Sequence, residues 1–365
     1  MYWLLFSVIL IFFIIDYIRK TNSSAFYYLS LFSLTALLCF RFGQGTDYPN
    51  YQELYQFPSH GEWGYRFLTM FLRDLGVSFP TFIFFISLVQ CALIHKAISR
   101  YSCNRNFSLF LLYPTIYLTY FFSGIRQGLV IAVFLGIMLP LLEKRSFIKY
   151  IFFCLFMSLF HTVALILLPL IFIHRLKVNL LLILMFISLI LGIINQILPF
   201  GIVIGNFFAE PLDLEREFRA TQSYTLAFLE RVLMCFIVTF IVVSKDSEFR
   251  KNDSDILLFK VYLFGFFVFM LFSANNLIAS RFGILFKSVE IFLLPLITLK
   301  TIKLRHAFAV TICVFCFILT WKNITSYISQ GDYFKNVTVL NYPYISVFNK
   351  EEILEYRDYD YKYIE

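Results

Sequence analysis

Apolar runs recur along almost the whole chain, and a short polar or charged connection separates each run from the next. A helix of about 20 apolar residues is long enough to cross the hydrocarbon core of a bilayer. The pattern therefore predicts an all-α integral membrane protein with about ten full transmembrane helices. The predicted crossings are 2–18, 25–40, 79–96, 107–122, 125–142, 178–198, 223–244, 255–273, 281–299 and 304–321.

The apolar stretch 147–173 does not fit a single crossing, because it is long for one helix and contains His161 and Pro169. We interpret it as a broken or re-entrant helix pair that enters and leaves the membrane on the same side. The short connections on one face then hold about half of the 31 basic residues, and the positive-inside rule identifies that face as cytoplasmic. These basic residues are Arg19, Lys20, Lys96, Arg100, Arg105, Lys144, Arg145, Lys149, Arg175, Lys177, Lys245, Arg250, Lys251, Lys300, Lys303 and Arg305.

The same parity predicts that both termini and the longer connections lie outside the cytoplasm. We therefore expect one polytopic membrane domain, residues 1–365, whose chemistry takes place at its outer face. The outer segments are the loop 41–78, the hairpin around Arg126, the loop 199–222, the loop 274–281 and the tail 322–365.

Composition supports the membrane assignment, since 60% of the residues are hydrophobic and only 15% are charged. The net charge of +8 comes mostly from short loops between spans, so we expect no nucleic-acid partner. Cysteines lie in or beside apolar runs, and the Cys313-x-x-Cys316 pair lies within a predicted span without a second ligand pair. We therefore expect no metal site and no cofactor.

Phe121–Gly128 is a short break between two apolar runs, and it carries Arg126 in the first turn of the second run. Free backbone N–H groups at a helix start, together with a guanidinium, favour an anion such as phosphate. The structural alternative is an arginine that snorkels to lipid headgroups.

Two more arginines lie at the same predicted depth, because Arg41 ends one span and Arg281 begins another. Asp47 follows Arg41 in a glycine-containing loop, where it either pairs with that arginine or offers a carboxylate to a substrate. His161 interrupts an apolar run, as either a hydrogen-bonded packing residue or a group lining a cavity. Lys287 and Glu290 are three residues apart, so we expect a self-neutralising pair on one helix face.

Residues 62–75 have apolar side chains at helical spacing, namely Phe67, Met70 and Phe71, with arginines on the flanks. We predict an interfacial amphipathic helix for this segment.

Several short motifs follow one another along the chain, and this ordered set resembles the EpsG family of polysaccharide polymerases. These are Wzy-like proteins of capsule, exopolysaccharide and O-antigen loci. Trp63 stands where we would expect a proline in the family pattern. The motifs are Arg41-x-Gly-x-Gly-x-Asp47-Tyr48-x-x-Tyr51, Glu62-x-Gly64-Tyr65, Ile125-Arg126-Gln127-Gly128, Phe160-His161 and Pro343-Tyr344.

The resemblance implies a GT-C-like polymerase fold and metal-independent glycosyl transfer at the outer leaflet of the bacterial inner membrane. A growing glycan on undecaprenyl pyrophosphate would pass to a lipid-linked repeat unit, and a chain-length regulator is an expected partner. The implied pyrophosphate ligands are Arg41, Arg126 and Arg281. The acceptor base would be Asp47 or His161, and we favour Asp47 with His161 as a helper. Candidate glycan contacts are Tyr48, Tyr51, Gln127 and Tyr344.

Two other functions fit the same sequence. A lipid-linked glycan ligase, or another polyprenyl-phosphate-dependent glycosyltransferase, would carry the same arginines and differ in its acceptor. A polysaccharide or lipid flippase would favour internal repeats and charges at mid-membrane depth, and the sequence shows no clear repeat.

Overall fold

The computed structural model describes residues 1–58, 61–197, 226–244, 252–273, 275–300, 305–330 and 337–352. These residues are mostly helical, with one isolated β-bridge that joins Arg41 to Ser346. The predicted loop 199–222 and the end of the tail lie outside the described residues. Contacts divide the chain into two compact units, which are Met1–Ile137 with Leu159–His161 and Ile302–Glu365, and Met138–Ser158 with Thr162–Thr301.

Within the described residues, five helices are long and apolar enough to cross a membrane, or up to six if one bent pair counts as a span. This agrees with a multi-pass membrane protein. The count of ten crossings and the GT-C-like architecture stay predictions, because several apolar helices are shorter than a full span. The spans are Tyr2–Arg19, Phe79–Tyr101, Ile125–Glu143, Asp253–Leu271 and Arg305–Ser329, and the bent pair is Leu277–Lys287 with Glu290–Leu299.

The first unit holds most of the predicted motifs on its helices and in the loops between them. Its elements are α1 (Tyr2–Arg19), α2 (Ser24–Cys39), α3 (Tyr48–Gln56), α4 (Trp63–Asp74), α5 (Phe79–Tyr101), α6 (Arg105–Leu112), a π-helix (Tyr113–Ser123), α7 (Ile125–Val133) and the later α15 (Arg305–Gln330).

One end of this unit is held together by a buried carboxylate at the end of α1. Asp16 accepts hydrogen bonds from the Thr21 hydroxyl at 2.7 Å and from the Ser23 backbone N–H at 3.0 Å. It also accepts one from the Asn106 side chain at 2.6 Å. Since a buried charge needs such donors, Asp16 fixes where α1, α2 and α6 meet.

At the other end, the segments that the sequence assigns to one face do come together. The Gln44 amide donates to the Pro343 carbonyl at 2.6 Å, and the Phe42 N–H donates to the Ile345 carbonyl at 2.9 Å. The Thr46 N–H donates to the Ser123 hydroxyl at 3.1 Å. The loop after α2, the hairpin before α7 and the described part of the C-terminal tail are therefore joined by hydrogen bonds at this end of the first unit.

Two glycines allow this hairpin to close tightly. A β-carbon on Gly128 would lie 2.6 Å from the Tyr120 carbonyl oxygen, and one on Gly45 would lie 2.3 Å from the Phe122 carbonyl oxygen. Gly45 also has φ +106°, a conformation that other L-residues rarely adopt. These close approaches place the start of α7 directly against the end of the π-helix.

The predicted helix at 62–75 is present as α4, and its apolar side chains remain exposed. Trp63 stacks on Phe67, which stacks on Phe71, and all three are more than half exposed. An exposed aromatic row of this kind fits a membrane surface, as the sequence predicts.

The break that the sequence predicts near His161 is present between two consecutive helices of the second unit. Helix α9 ends at Ser158, a 3-10 helix begins at Thr162, and the Tyr150 hydroxyl donates to the Leu167 carbonyl at 2.8 Å. The two arms therefore pack against each other as a hairpin. The elements of this unit are α8 (Leu139–Glu143), α9 (Phe147–Ser158), the 3-10 helix (Thr162–Phe172), α10 (Val178–Ile197), α11 (Leu226–Ser244), α12 (Asp253–Leu271), α13 (Asn276–Lys287) and α14 (Glu290–Lys300).

The segment 281–299, expected to be one crossing, is bent by 56° at the junction between α13 and α14. Ser288 lies at this bend, and its hydroxyl donates to the Leu285 carbonyl at 2.6 Å, which competes with the regular helical bonds. Lys287 and Glu290 therefore do not share one continuous helix face.

Four charged residues meet at this bend and form what we call the Lys287 cluster, made of Glu230, Arg231, Lys287 and Glu290. The Lys287 ammonium lies 2.5 Å from Glu230 Oε1 and 3.8 Å from Glu290 Oε2. The Arg231 guanidinium stacks 4.6 Å from the centre of the Phe269 ring. The expected Lys287–Glu290 pair exists, but Glu230 of α11 is the nearer partner.

Candidate active site

The first unit contains a three-residue arrangement that we call the Glu62 cluster. Glu62 Oε2 accepts a hydrogen bond from Arg126 Nη1, and Glu62 Oε1 lies 2.9 Å from His161 Nδ1. The three side chains come from the start of α4, the start of α7 and the break after α9. One carboxylate therefore joins an arginine and a histidine that are far apart along the chain.

Backbone contacts explain why α4 begins beside His161. The Gly64 and Tyr65 N–H groups both donate to the Leu159 carbonyl, at 2.8 and 3.2 Å. A β-carbon on Gly64 would lie 2.7 Å from Leu159 Cβ, so only glycine allows this approach. The Leu159 carbonyl accepts hydrogen bonds from N–H groups that have no partner within the first turn of α4. These bonds dock α4 onto the break between α9 and the 3-10 helix.

Two tyrosine rings flank Arg126. Its guanidinium carbon lies 5.5 Å from the centre of the Tyr51 ring and 5.3 Å from that of Tyr65. The Tyr51 and Tyr65 rings also contact each other, at 6.1 Å between centres. Cation–π contacts on two rings hold the guanidinium in place, so its direction is fixed before any ligand arrives.

Glu62 remains ionised in this setting. Burial by itself would raise the pKa of Glu62, but the hydrogen bond with His161 and the charge of Arg126 outweigh it and lower that pKa to about 2. A carboxylate with so low a pKa is a poor proton acceptor. Glu62 is therefore suited to orient Arg126 and His161 and unsuited to act as the base.

The ionised carboxylate also fixes the histidine tautomer. A carboxylate can only accept, so Nδ1 of His161 must carry the proton of their hydrogen bond. In the neutral ring, Nε2 is then the proton acceptor. A carboxylate that orients a histidine in this way is a recurring device for general-base catalysis.

Two polar atoms of the site have no hydrogen-bond partner within the part of the chain that the structure describes. They are the Tyr65 hydroxyl and Arg126 Nε. Burial raises the pKa of the Tyr65 hydroxyl, so at neutral pH it stays protonated and able to donate. Unsatisfied donors on an arginine and a neighbouring tyrosine fit an anionic ligand such as phosphate.

Arg41 follows the end of α2, and its guanidinium is bonded to protein groups. It is 1% exposed, and its guanidinium donates to the Leu38 carbonyl at 2.5 Å and to the Phe121 carbonyl at 3.1 Å. It also donates to the Ser87 hydroxyl at 3.2 Å and lies 4.9 Å from the centre of the Phe122 ring. This geometry favours a structural role, in which Arg41 fastens the hairpin that presents Arg126.

The expected glycan contacts are mostly built into the fold. Tyr48 is fully buried against Phe79, and Gln127 is buried in the first turn of α7. The Tyr344 hydroxyl donates to the Leu37 carbonyl at 3.0 Å. Of the four residues, Tyr51 is the one that the structure brings to the Glu62 cluster.

The remaining two candidates, Asp47 and Arg281, belong to different units. Asp47 is half-buried at the start of α3, with its carbonyl bonded to the Tyr51 N–H at 3.0 Å. Arg281 lies on α13 in the second unit. Across the described ranges, no group of three or more histidine, cysteine, aspartate or glutamate side chains could hold a metal ion.

Glu62 and Tyr65 belong to the Glu62-x-Gly64-Tyr65 motif, but the sequence alone assigns neither residue a role. The available signal was the spacing Glu62-x-Gly64-Tyr65, with an acidic residue at the first position of the helix predicted over 62–75. That spacing is compatible with an ordinary helix start, so it does not show that Glu62 reaches Arg126.

Comparison with known proteins yields a family match. The model of the EpsG family matches residues 24–346, a range that includes all three members of the Glu62 cluster. No curated protein and no solved structure matches the chain.

Proposed function

This chain belongs to the EpsG family, and from that premise we propose that it polymerises lipid-linked oligosaccharide repeat units by metal-independent glycosyl transfer. The family implies a Wzy-like polysaccharide polymerase in general. Our proposal adds the substrate, undecaprenyl pyrophosphate carrying a glycan, and the place, the outer leaflet of the bacterial inner membrane. The product is an O-antigen, capsule or exopolysaccharide chain.

The observation that carries the proposal is the convergence of three motifs on Glu62. The Glu62-x-Gly64-Tyr65 motif, the Arg126 motif and the Phe160-His161 motif are distant in sequence, yet their polar side chains are in contact. Gly64 and Gly128 beside them have β-carbon positions that the fold already occupies. Residues that serve only membrane packing would not require an ionised carboxylate between an arginine and a histidine.

The leaving group of this reaction is a polyprenyl pyrophosphate, whose negative charge grows as the glycosidic bond breaks. We assign its stabilisation to Arg126 and the Tyr65 hydroxyl, because both hold donors without a partner in the described residues. Arg41 acts at a distance by fixing the hairpin. Arg281 stays a predicted third cation.

We assign the base to His161, which reverses the order that the sequence favours. The acceptor hydroxyl oxygen attacks the anomeric carbon of the donor glycan, and its proton passes to His161 Nε2. The bond from the anomeric carbon to the pyrophosphate oxygen breaks, and its electron pair leaves with the pyrophosphate. Glu62 stabilises the imidazolium that results.

The proposal is tested with purified protein in lipid nanodiscs and purified lipid-linked repeat units. We expect a ladder of lipid-linked oligomers together with release of free polyprenyl pyrophosphate. Transfer to a different lipid acceptor without a ladder would indicate a ligase. Movement of the substrate across the bilayer without any new glycosidic bond would indicate a flippase.

Two variants separate the candidate bases in the same assay. His161→Gln should slow transfer by about 10²-fold or more, since general-base catalysis contributes about that much. Asp47→Asn should keep at least a tenth of the wild-type rate. The opposite result would assign the general base to Asp47. Loss of transfer in both variants, with normal folding, would show that Asp47 and His161 both take part in catalysis. Glu53→Gln, an exposed change on α3, is the control for purification and reconstitution.

A further inference from the structure

The helix that leads to Arg126 has an unusual winding. Residues Tyr113–Ser123 form a π-helix, in which a backbone N–H bonds to the carbonyl five residues back. This winding continues to the start of α7, since the Gly124 N–H donates to the Thr119 carbonyl at 3.2 Å. Most π-helices are a single turn long, so one of 11 residues needs support from contacts outside the segment.

Helix α15 supplies part of this support from one of its faces. Asn323 and Tyr327 are four residues apart and therefore lie on the same side of α15. The Tyr327 hydroxyl donates to the Leu118 carbonyl, and the Asn323 side-chain amide donates to the Pro114 carbonyl at 2.7 Å. Both acceptors belong to the π-helix, so side-chain to backbone hydrogen bonds join the two helices.

Asn323 makes a second hydrogen bond that depends on the winding. Its Oδ1 accepts from the Thr119 hydroxyl at 3.3 Å, while its Nδ2 donates to the Pro114 carbonyl. Pro114 and Thr119 are five residues apart, and in a π-helix such positions lie nearly above one another. In an α-helix of 3.6 residues per turn they would lie about 140° apart around the axis. The single amide of Asn323 therefore fits the π form and not the α form.

The winding of this segment decides where Arg126 points. Arg126 follows Gly124, the last residue with a π-type bond, by two positions. Winding the segment as an α-helix would change the number of residues per turn and rotate the start of α7. Tyr51 and Glu62 belong to α3 and to the start of α4, so they would not rotate with it. The guanidinium would then lose the ring and the carboxylate that hold its direction.

We propose that Asn323 is a positioning residue for glycosyl transfer. It selects the π winding of Tyr113–Ser123 and thereby directs Arg126 towards the leaving pyrophosphate. The proposal rests on the proposed function for what Arg126 does, whereas the effect of Asn323 on the winding does not depend on that function.

Steady-state kinetics separate positioning from a purely structural role. Asn323→Leu keeps a side chain of similar size and removes both hydrogen-bonding groups. We expect kcat per folded molecule to fall about tenfold or more and KM to stay within about threefold, because a small misplacement of Arg126 weakens its contact in the transition state. A structural role alone would lower the yield and the melting temperature and leave kcat per folded molecule unchanged.

Thr325→Ala is the matched control for this variant. Thr325 is an exposed polar residue on the same helix, and its hydroxyl bonds to the Trp321 carbonyl within α15. Its replacement should change neither kcat nor KM.

A second background shows whether the effect of Asn323 passes through Arg126. In protein that already carries Arg126→Lys, adding Asn323→Leu should lower the rate by less than about twofold, since residues that act as a unit do not contribute additively. An undiminished loss in that background would show that Asn323 acts elsewhere, and it would overturn the proposal.

Cross-linking follows the position of the hairpin without any turnover. The Thr46 N–H donates to the Ser123 hydroxyl at 3.1 Å, so the pair Thr46→Cys and Ser123→Cys should form a disulfide on mild oxidation. The background carries Cys103→Ser, because Cys103 is an exposed free cysteine. Asn323→Leu should slow this cross-link about fivefold or more, because rotation separates the two positions. Thr325→Ala should leave the rate unchanged, and peptide mass spectrometry measures it.

Thr119→Val repeats the test with a smaller change, since it removes only the hydroxyl that donates to Asn323. Loss of this one hydrogen bond should slow transfer and cross-linking about threefold, and the variant decides the question if Asn323→Leu does not fold. Unchanged cross-linking in the folded variants, or unchanged kcat, would overturn the proposal. A failure of the proposed function looks different, because wild type itself would form no glycan ladder while Asn323→Leu would still slow the cross-link.

Discussion

The Glu62 cluster and the Lys287 cluster are both groups of opposite charges in apolar surroundings, but they leave different hydrogen-bonding groups unsatisfied. Around Glu62 the buried atoms without a partner in the described residues are donors, the Tyr65 hydroxyl and Arg126 Nε. In the Lys287 cluster the corresponding atom is an acceptor, Glu290 Oε1. A phosphorylated ligand supplies acceptors, so the first cluster suits it and the second does not.

The charge balance of the two clusters points the same way. Lys287 lies between two carboxyl groups, and Arg231 is stacked on an aromatic ring, so the second cluster holds two acidic and two basic side chains. The first cluster holds a single carboxylate, shared between Arg126 and His161. A charged group in a membrane protein is thus not enough to indicate a site. What indicates one is the kind of polar atom that remains unsatisfied.

The largest expected effect is on transfer by an Arg126 variant. Arg126→Ala should lower the rate per folded molecule by about 10³-fold, since it removes a positioned cation from the leaving pyrophosphate. Arg126→Lys should recover less than a tenth of the wild-type rate, because an ammonium lacks the planar fork of a guanidinium and stacks less well between two tyrosine rings. The measurement is oligomer formation from purified lipid-linked repeat units.

Arg73→Ala is the matched control for this loss, because Arg73 is a partly exposed arginine on α4 paired with Asp74. It should retain most of the activity. Full activity in Arg126→Ala would show that the Glu62 cluster takes no part in the transfer reaction. The Glu62 cluster and the Lys287 cluster would then not differ in function.

In the Lys287 cluster the expected effect is on stability. Lys287→Ala leaves Glu230 and Glu290 without their shared cation, and breaking a buried ion pair in this way costs about 3–5 kcal/mol. Turnover per folded molecule should stay near the wild-type value. Unfolding in detergent by urea, followed by tryptophan fluorescence, gives the stability.

Restoring the charge balance sharpens this test. The double variant Glu230→Gln with Lys287→Met should regain much of the lost stability, since it removes one charge of each sign. The control variant Lys149→Ala, on the exposed side of α9, should change the stability little. A Lys287→Ala protein that is stable but inactive would contradict the structural role and make the second cluster a functional site.

The sequence predicts the membrane class and the break at His161 because both depend on local patterns. The length of an apolar run can be counted directly, and the run 147–173 is long for one helix. The contact of Glu62 with Arg126 could not be predicted in this way, because it joins residues 64 positions apart. Tertiary packing brings such residues together, as the docking of α4 onto the Leu159 carbonyl does for Glu62 and His161.

Arg41 and Lys287 show why charged residues near span ends are hard to assign. Arg41 was expected to face a substrate, yet Gly45 lets its loop pack so closely that the guanidinium bonds to backbone carbonyls instead. Lys287 was expected to pair along a regular helix, and the bend before Glu290 allows a third helix to supply the nearer carboxylate. In both cases the backbone geometry decides the partner, and residue spacing does not encode it.

The smallest expected effect concerns the stability that Glu62 gives its own cluster, and it depends on pH. The pKa of Glu62 falls from its ordinary 4.5 to about 2, which corresponds to at most about 3 kcal/mol in favour of the folded state. A depressed carboxylate pKa stabilises fully above the unfolded value, and the stabilisation is lost as the pH falls towards the folded value. Wild type should therefore be more stable than Glu62→Gln at pH 7 and at pH 5, and the difference should shrink between pH 4.5 and pH 2. Urea unfolding in detergent at pH 7, 5 and 3 measures this difference in the free energy of unfolding, with Glu53→Gln as the exposed control.

A difference that is already gone at pH 5 would show that the ionised Glu62 carboxylate is not the stabilising group. The charges of the Glu62 cluster would then need another explanation.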